Sequence, residues 1–162
     1  NTGKSFAKKI SSFNCKVVFY DINEKIESKY AKKTSLDFLY KNADIVSLHL
    51  PFTTTTTDLF NKEFIQKFDK PFWLINTSRG KIVNTPDLVD ALNEKKILGA
   101  GLDVIDIESS SFNNIEKELN PYFYELINLK NVIITPHIAG WTFESNVKLS
   151  QIIIDKIESY FK

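Results

Sequence analysis

Short runs of strand character alternate with helical patterns along the whole chain. Apolar, β-branched or aromatic residues fill five such runs, at Lys16–Tyr20, Asp44–Leu48, Phe72–Ile75, Ile97–Leu102 and Val132–Ile134. Apolar residues recur at helical spacing elsewhere, as in Ser5–Phe13 and Glu144–Phe161. Strand–helix alternation of this kind is typical of a parallel sheet covered by helices. The sequence therefore predicts an α/β fold, a Rossmann-type doubly wound parallel sheet.

Residues that favour helix starts mark the helices between these runs. Ser35 begins a short helix, a second helix covers Asn61–Phe68, and a third starts at Thr85 and ends near Lys95. We expect Thr85 to be the N-cap of this third helix, with Pro86 at its first position. A threonine hydroxyl can accept a hydrogen bond from a free helix amide, and proline has no amide hydrogen to leave unpaired there.

Composition is that of an ordinary folded domain. The 162 residues suffice for one domain with a sizeable core, and 43% hydrophobic with 25% charged residues is typical of globular proteins. The net charge of +1 leaves no excess of positive charge of the kind that binds nucleic acid or an anionic membrane. No apolar run approaches the ~20 residues of a membrane-spanning helix. The single cysteine, Cys15, offers no disulfide or metal-ligand spacing, so we expect a cytoplasmic protein without a metal site.

The opening residues have the pattern of a glycine-rich phosphate-binding turn that runs into a helix. The amides of Asn1 and Thr2 would face a pyrophosphate at the helix start, and Gly3 would allow close packing of helix and strand. The strand and the two glycines that should come first are absent. We therefore interpret residues 1–162 as an NAD-binding domain truncated inside this turn, lacking its first strand. That strand would be central in the sheet, so its two neighbours should be left as unpaired edges.

An acidic residue, Asp21, follows the strand after this turn. In dinucleotide-binding folds a carboxylate about 20 positions beyond the glycines accepts a hydrogen bond from the ribose 2′-hydroxyl. It would also repel the 2′-phosphate of NADP, so NAD is the predicted cofactor. The alternative for Asp21 is a strand-end turn residue, with Asn23 nearby.

Three motifs that carry ionisable side chains each follow a strand, at Asn76–Lys81, Gly101–Glu108 and Thr135–Gly140. The carboxyl ends of parallel strands open on one crevice, so we expect Arg79, Glu108 and His137 to meet at one site. A guanidinium, a carboxylate and an imidazole together can hold an acid and move a proton.

Each of these three side chains has a distinct predicted role. Arg79, the sole arginine, offers a planar fork for bidentate binding of a carboxylate. His137 can exchange a proton near neutral pH. Glu108 would orient His137 and raise the pKa of its imidazole, and Asp106 competes for this role. Gly80 would let substrate and backbone come close.

These motifs, together with Asp44–Pro51, resemble in order and spacing the D-isomer-specific 2-hydroxyacid dehydrogenase family, over nearly the whole chain. The resemblance is closest to D-3-phosphoglycerate dehydrogenases, through Leu102–Phe112 and Pro136–Thr142. It implies an NAD-dependent dehydrogenase of a small D-2-hydroxy or 2-keto acid, foremost the D-3-phosphoglycerate dehydrogenase of serine biosynthesis. Hydroxypyruvate or glyoxylate reductase, D-lactate dehydrogenase and a non-catalytic dinucleotide-sensing corepressor are alternatives. It also implies a homodimer or higher homo-oligomer, with the substrate domain mostly absent and the helix at 143–162 leading back towards it.

The resemblance favours Glu108 over Asp106 as the partner of His137, because Glu108 matches the family's glutamate five residues beyond Asp103. It also implies further cofactor contacts. His49 and Pro51 match positions on the adenine and ribose side of the groove, although a histidine there can also be structural. Thr77 and Ser78 match backbone and hydroxyl contacts to the nicotinamide half. Asp103 matches an aspartate near the nicotinamide carboxamide, with a loop-capping aspartate as the alternative. The predicted cofactor set is completed by Arg79, His137 and Gly140.

Overall fold

The computed structural model describes residues 2–106 and 121–161. Its strands are β1 (Val18–Phe19), β2 (Lys32–Lys33), β3 (Ile45–Leu48), β4 (Phe72–Asn76), β5 (Ile97–Leu102) and β6 (Val132–Ile134). Its α-helices are α1 (Thr2–Ile10), α2 (Leu36–Asn42), α3 (Lys62–Gln66), α4 (Thr85–Asn93), α5 (Pro121–Asn128) and α6 (Phe143–Phe161). Short 3₁₀ turns cover Ser11–Phe13 and Gly80–Ile82.

In the part of the chain that the structure describes, all strand pairs are parallel and the strands form two sheets. β1 pairs with β2, and a four-stranded sheet has the order β3-β4-β5-β6. Within the described residues no strand joins β1 to β3, so the two sheets are separate. The last residues of the four strands are in register, as Leu48 pairs with Asn76, Asn76 with Leu102 and Leu102 with Ile134. The loops after these strands therefore all leave one edge of the sheet.

Side-chain caps start the helices between the strands, and one prediction about them is wrong. The Ser35 hydroxyl accepts a hydrogen bond from the Phe38 amide at the start of α2, as its sequence position indicates. In α4 the N-cap is Asn84 and not Thr85. The Asn84 side-chain oxygen accepts from the Asp87 amide, while Thr85 is buried in the first turn. Asparagine caps helices at least as well as threonine. Asn84 has the extended backbone of an N-cap residue, so Asn84 caps α4.

The core lies on one face of the four-stranded sheet. Alternation along β4 buries Phe72 and Leu74 against Phe60, Phe68 and neighbouring helices. The opposite face is open, since Ile45, Trp73 and Ile133 are 61%, 48% and 71% exposed.

The long C-terminal helix α6 contributes no buried residue, although its sequence carries an apolar stripe. Ile152, Ile153 and Ile157 are about half exposed. Among the described helices, none combines the length and the apolar content needed to cross a membrane.

Candidate active site

The loops that follow β3, β4, β5 and β6 are joined to one another by hydrogen bonds. The Ser78 hydroxyl donates to the Leu48 carbonyl over 2.6 Å. The Asp103 amide donates to the Asn76 carbonyl over 3.0 Å, and the His137 amide donates to the Asp103 carbonyl over 2.9 Å. The loops that carry Arg79 and His137 thus flank the loop after β5. The predicted third member, Glu108, lies outside the described residues.

The loop that carries Arg79 is shaped by a buried asparagine at the end of β4. The Asn76 side chain accepts from the Ser78 amide over 3.0 Å and donates to the Arg79 carbonyl over 3.2 Å. Arg79 itself is exposed, and its Nη1 donates to the Ser78 carbonyl over 2.7 Å. A guanidinium has further N–H donors in the same plane, so this bond orients Arg79 while leaving it able to bind a carboxylate.

Gly80 brings the loop after β4 against the loop after β5. A Cβ built on Gly80 would lie 2.1 Å from both the carbonyl carbon and the carbonyl oxygen of Ile105, and 2.5 Å from the Asp106 amide nitrogen. Only a residue without a side chain allows this backbone contact. The sequence predicts that Gly80 lets the substrate come close to the backbone. In the structure the group that comes close to Gly80 is the backbone of Ile105 and Asp106.

Asp103 builds the turn that carries His137. Asp103 is 5% exposed, and its carboxylate accepts hydrogen bonds from the Thr135 hydroxyl (2.6 Å), the Ile138 amide (2.9 Å) and the Ala139 amide (3.0 Å). Burial alone would raise the pKa of Asp103, but these hydrogen bonds outweigh burial and lower it. Asp103 is therefore ionised, and both of its carboxylate oxygens accept hydrogen bonds within the protein. Within the turn, His137 is exposed and has a left-handed backbone with φ of 54°.

His49 connects the start of α1 to the loop after β3. Its ring lies 5.3 Å from the Phe6 ring, and its Nε2 is 3.0 Å from the Ser47 hydroxyl. A Cβ on Gly3 would approach the His49 side chain to 3.1 Å, so the turn residue and the histidine are packed together. Burial lowers the pKa of His49, which keeps the ring neutral at pH 7. Pro51, two residues on, accepts a hydrogen bond from the Thr56 hydroxyl through its carbonyl.

The remaining predicted cofactor residues are placed around these loops. Thr2 is the first residue of α1, and Asn1 lies outside the described residues. Asp21 follows β1, and one carboxylate oxygen accepts from the Asn23 amide over 2.8 Å, as in the turn alternative. Thr77 is half-buried between Asn76 and Ser78. Gly140 is exposed, and a Cβ there would meet no atom within 4 Å.

A family model described as the NAD binding domain of D-isomer specific 2-hydroxyacid dehydrogenase matches residues 1–139. The chain belongs to this family. It is 38% identical to a glyoxylate reductase of Thermofilum pendens over 93% of this chain and 42% of that protein. It is 39% identical to a D-lactate dehydrogenase of Streptococcus pyogenes over 88% of this chain and 45% of that protein.

A solved structure of the same family has the same fold. It is a D-isomer specific 2-hydroxyacid dehydrogenase of Lactobacillus delbrueckii ssp. bulgaricus in its NAD-complexed form. The TM-score is 0.86 and the sequence identity 34%, over 95% of this chain and 48% of that one. The chain thus spans less than half the length of these relatives.

The arrangement in this 2-hydroxyacid dehydrogenase domain fits NAD, the cofactor of the family's NAD-binding domain. The amides at the start of α1 can face a pyrophosphate, and Gly3 is packed against His49 in the adjoining loop. Asp21 supplies a carboxylate at the end of β1, where a ribose hydroxyl can donate to it. The edge formed by the β3–β6 loops is where open α/β sheets bind ligands.

Asn76 and Thr135 each begin one of the sequence motifs of this site, but no role was predicted for either of them from the sequence, although both shape the site. Asn76 is 1% exposed. Its side chain accepts a hydrogen bond from the Ser78 backbone amide and donates one to the Arg79 carbonyl. Thr135 donates its hydroxyl hydrogen to Asp103, on a neighbouring loop 32 residues earlier. Each is a polar residue at the end of an apolar strand, and that position is the signal that marks it.

Proposed function

We propose that the full-length protein is an NAD-dependent oxidoreductase that interconverts a D-2-hydroxy acid and its 2-keto acid. The observation that supports this most directly is the turn of His137, held by the buried Asp103 carboxylate beside the Arg79 loop, in a domain of this family. An exposed imidazole on a fixed turn suits proton exchange with a substrate.

The proposed reaction uses three side chains of this chain. Arg79 binds the substrate carboxylate through its guanidinium and polarises the neighbouring C2 oxygen. His137 takes the hydroxyl proton when the alcohol is oxidised and returns it when the ketone is reduced, with Glu108 as the carboxylate that pairs with the imidazole. Bound NAD supplies the hydride chemistry at C2. Acid–base help of this kind contributes ~10²–10⁴ in rate.

We propose two groups of substrates for comparison. The motifs that resemble phosphoglycerate dehydrogenases predict D-3-phosphoglycerate. The names of the two relatives favour glyoxylate and pyruvate, and hydroxypyruvate belongs to the same chemical series. All share a carboxylate next to the reacting carbon, which is the group that Arg79 is proposed to bind. We also propose a homodimer or higher homo-oligomer, to be measured as a molar mass in solution.

The test is a substrate panel on the full-length protein. NADH oxidation is followed at 340 nm with glyoxylate, pyruvate and hydroxypyruvate, and NAD reduction with D-3-phosphoglycerate and D-lactate. We expect turnover of at least one acid and a preference for NADH over NADPH. NADH binding without turnover of any acid would contradict the proposal and favour the dinucleotide-sensing alternative.

A further inference from the structure

Ser78 precedes Arg79 and is 7% exposed. Its hydroxyl donates to the Leu48 carbonyl over 2.6 Å and accepts from the Leu50 amide over 3.2 Å. These two partners lie immediately before and after His49. The Ser78 hydroxyl therefore clamps the backbone on both sides of the histidine that packs on the start of α1.

The backbone of Ser78 holds the other side of the site. Its amide donates to the Asn76 side chain over 3.0 Å, and its carbonyl accepts from Arg79 Nη1 over 2.7 Å. One residue thus connects the His49 turn to the guanidinium proposed to bind the acid.

The one hydrogen of this hydroxyl is already used within the protein, which argues against the donor role that the resemblance implies for it. A serine hydroxyl has a single hydrogen to donate, and here it is directed to the Leu48 carbonyl. Donation to a cofactor would break this buried bond and leave the Leu48 carbonyl unpaired, which is unfavourable.

We propose that Ser78 is a positioning residue, which fixes the Arg79 loop and the His49 turn relative to each other and makes no hydrogen bond of its own to the cofactor. The inference rests on the proposed function, because a displaced Arg79 would bind the acid more weakly and so raise its KM. It also predicts weaker NADH binding, because the same bonds hold the turn on the cofactor side.

The test compares Ser78→Ala with a matched loss of a serine hydroxyl elsewhere. Ser35→Ala removes the hydroxyl that caps α2 by accepting from the Phe38 amide, and Ser35 is not in any of the loops of the site. Ser78→Thr keeps a hydroxyl at position 78. Each full-length variant is assayed for kcat and KM with the acid that the panel identifies, for the Kd of NADH by fluorescence, and for Tm.

We expect Ser78→Ala, which removes both hydrogen bonds of the hydroxyl, to raise both the KM for the acid and the Kd of NADH by about tenfold. Its kcat should change less. Ser78→Thr should recover most of both losses, and Ser35→Ala should lower Tm while leaving both constants unchanged. If Ser78→Ala does not fold, Ser78→Cys, which keeps the size but weakens the bonds, is compared in the same way.

Two results would overturn the inference. Wild-type KM and Kd in Ser78→Ala would show that the clamp positions nothing. A raised Kd of NADH with an unchanged KM for the acid would indicate a direct cofactor contact. Absence of turnover in the wild-type protein is a different failure, because it refutes the proposed function and removes the basis for the acid-binding part of the inference.

Discussion

Gly80→Ala is the substitution whose effect follows most directly from the structure. The new Cβ would lie 2.1 Å from the Ile105 carbonyl, whereas ordinary contacts begin at 3.4 Å. The difference, 3.4 minus 2.1, means that the two loops must separate by about 1.3 Å. The contacted atoms of Ile105 and Asp106 belong to the backbone, so the separation displaces either the loop that carries Arg79 or the loop after β5.

Gly80→Ala should lower both the folding stability and the catalytic rate. Overpacking of this kind costs about 1–3 kcal/mol of folding free energy. A misplacement of about 1 Å in a catalytic arrangement can cost about 10²-fold in rate. We therefore expect a lower Tm and a kcat/KM reduced about a hundredfold, measured by thermal unfolding and by steady-state kinetics on the full-length protein.

Gly101→Ala is the matched control for this substitution. It is the same change in β5, and a Cβ at Gly101 meets no atom within 4 Å. We expect a change in the free energy of unfolding within about 0.5 kcal/mol and wild-type kinetics. Wild-type Tm and kcat/KM in Gly80→Ala would refute the contact between the two loops.

Three further predictions address single side chains. His137→Ala should lower kcat by about 10²–10⁴ with the Kd of NADH little changed, and a loss under tenfold would remove His137 from the proton-transfer role. Asp21→Ala should relax the preference for NADH over NADPH, measured as the ratio of the two kcat/KM values; an unchanged ratio would favour the turn role of Asp21 alone. Asp103 has a folded-state pKa below its ordinary value, so its stabilising contribution is present above the unfolded-state pKa of about 3.9 and is lost as pH falls through the folded-state pKa. The free energy of unfolding should therefore differ between wild type and Asp103→Asn by a constant amount from pH 6 to 8 and by less below about pH 4. A difference that stays constant into the acid range would contradict the hydrogen-bonded, charged state of Asp103.

Local features of the sequence predicted most of the secondary structure elements, but not β2 or α5. The strand-forming runs became β1 and β3–β6, since apolar alternation and bounding polar residues act within a few positions. The cap at Ser35 was predicted for the same reason, because its partner is three residues away. At α4 two good capping residues stand side by side, and a long-range bond from the Asn84 amide to the Phe60 carbonyl sets which one stays extended.

The strands and the polar residues that end them are properties of the sequence by itself, as is the family to which the chain belongs. Tertiary structure decided which of those residues touch. Ser78 reaches Leu48 thirty positions away, and Gly80 meets Ile105, because the four strand ends are in register. Strand register depends on how the core face of the sheet packs against its helices, and no short stretch of sequence contains that information.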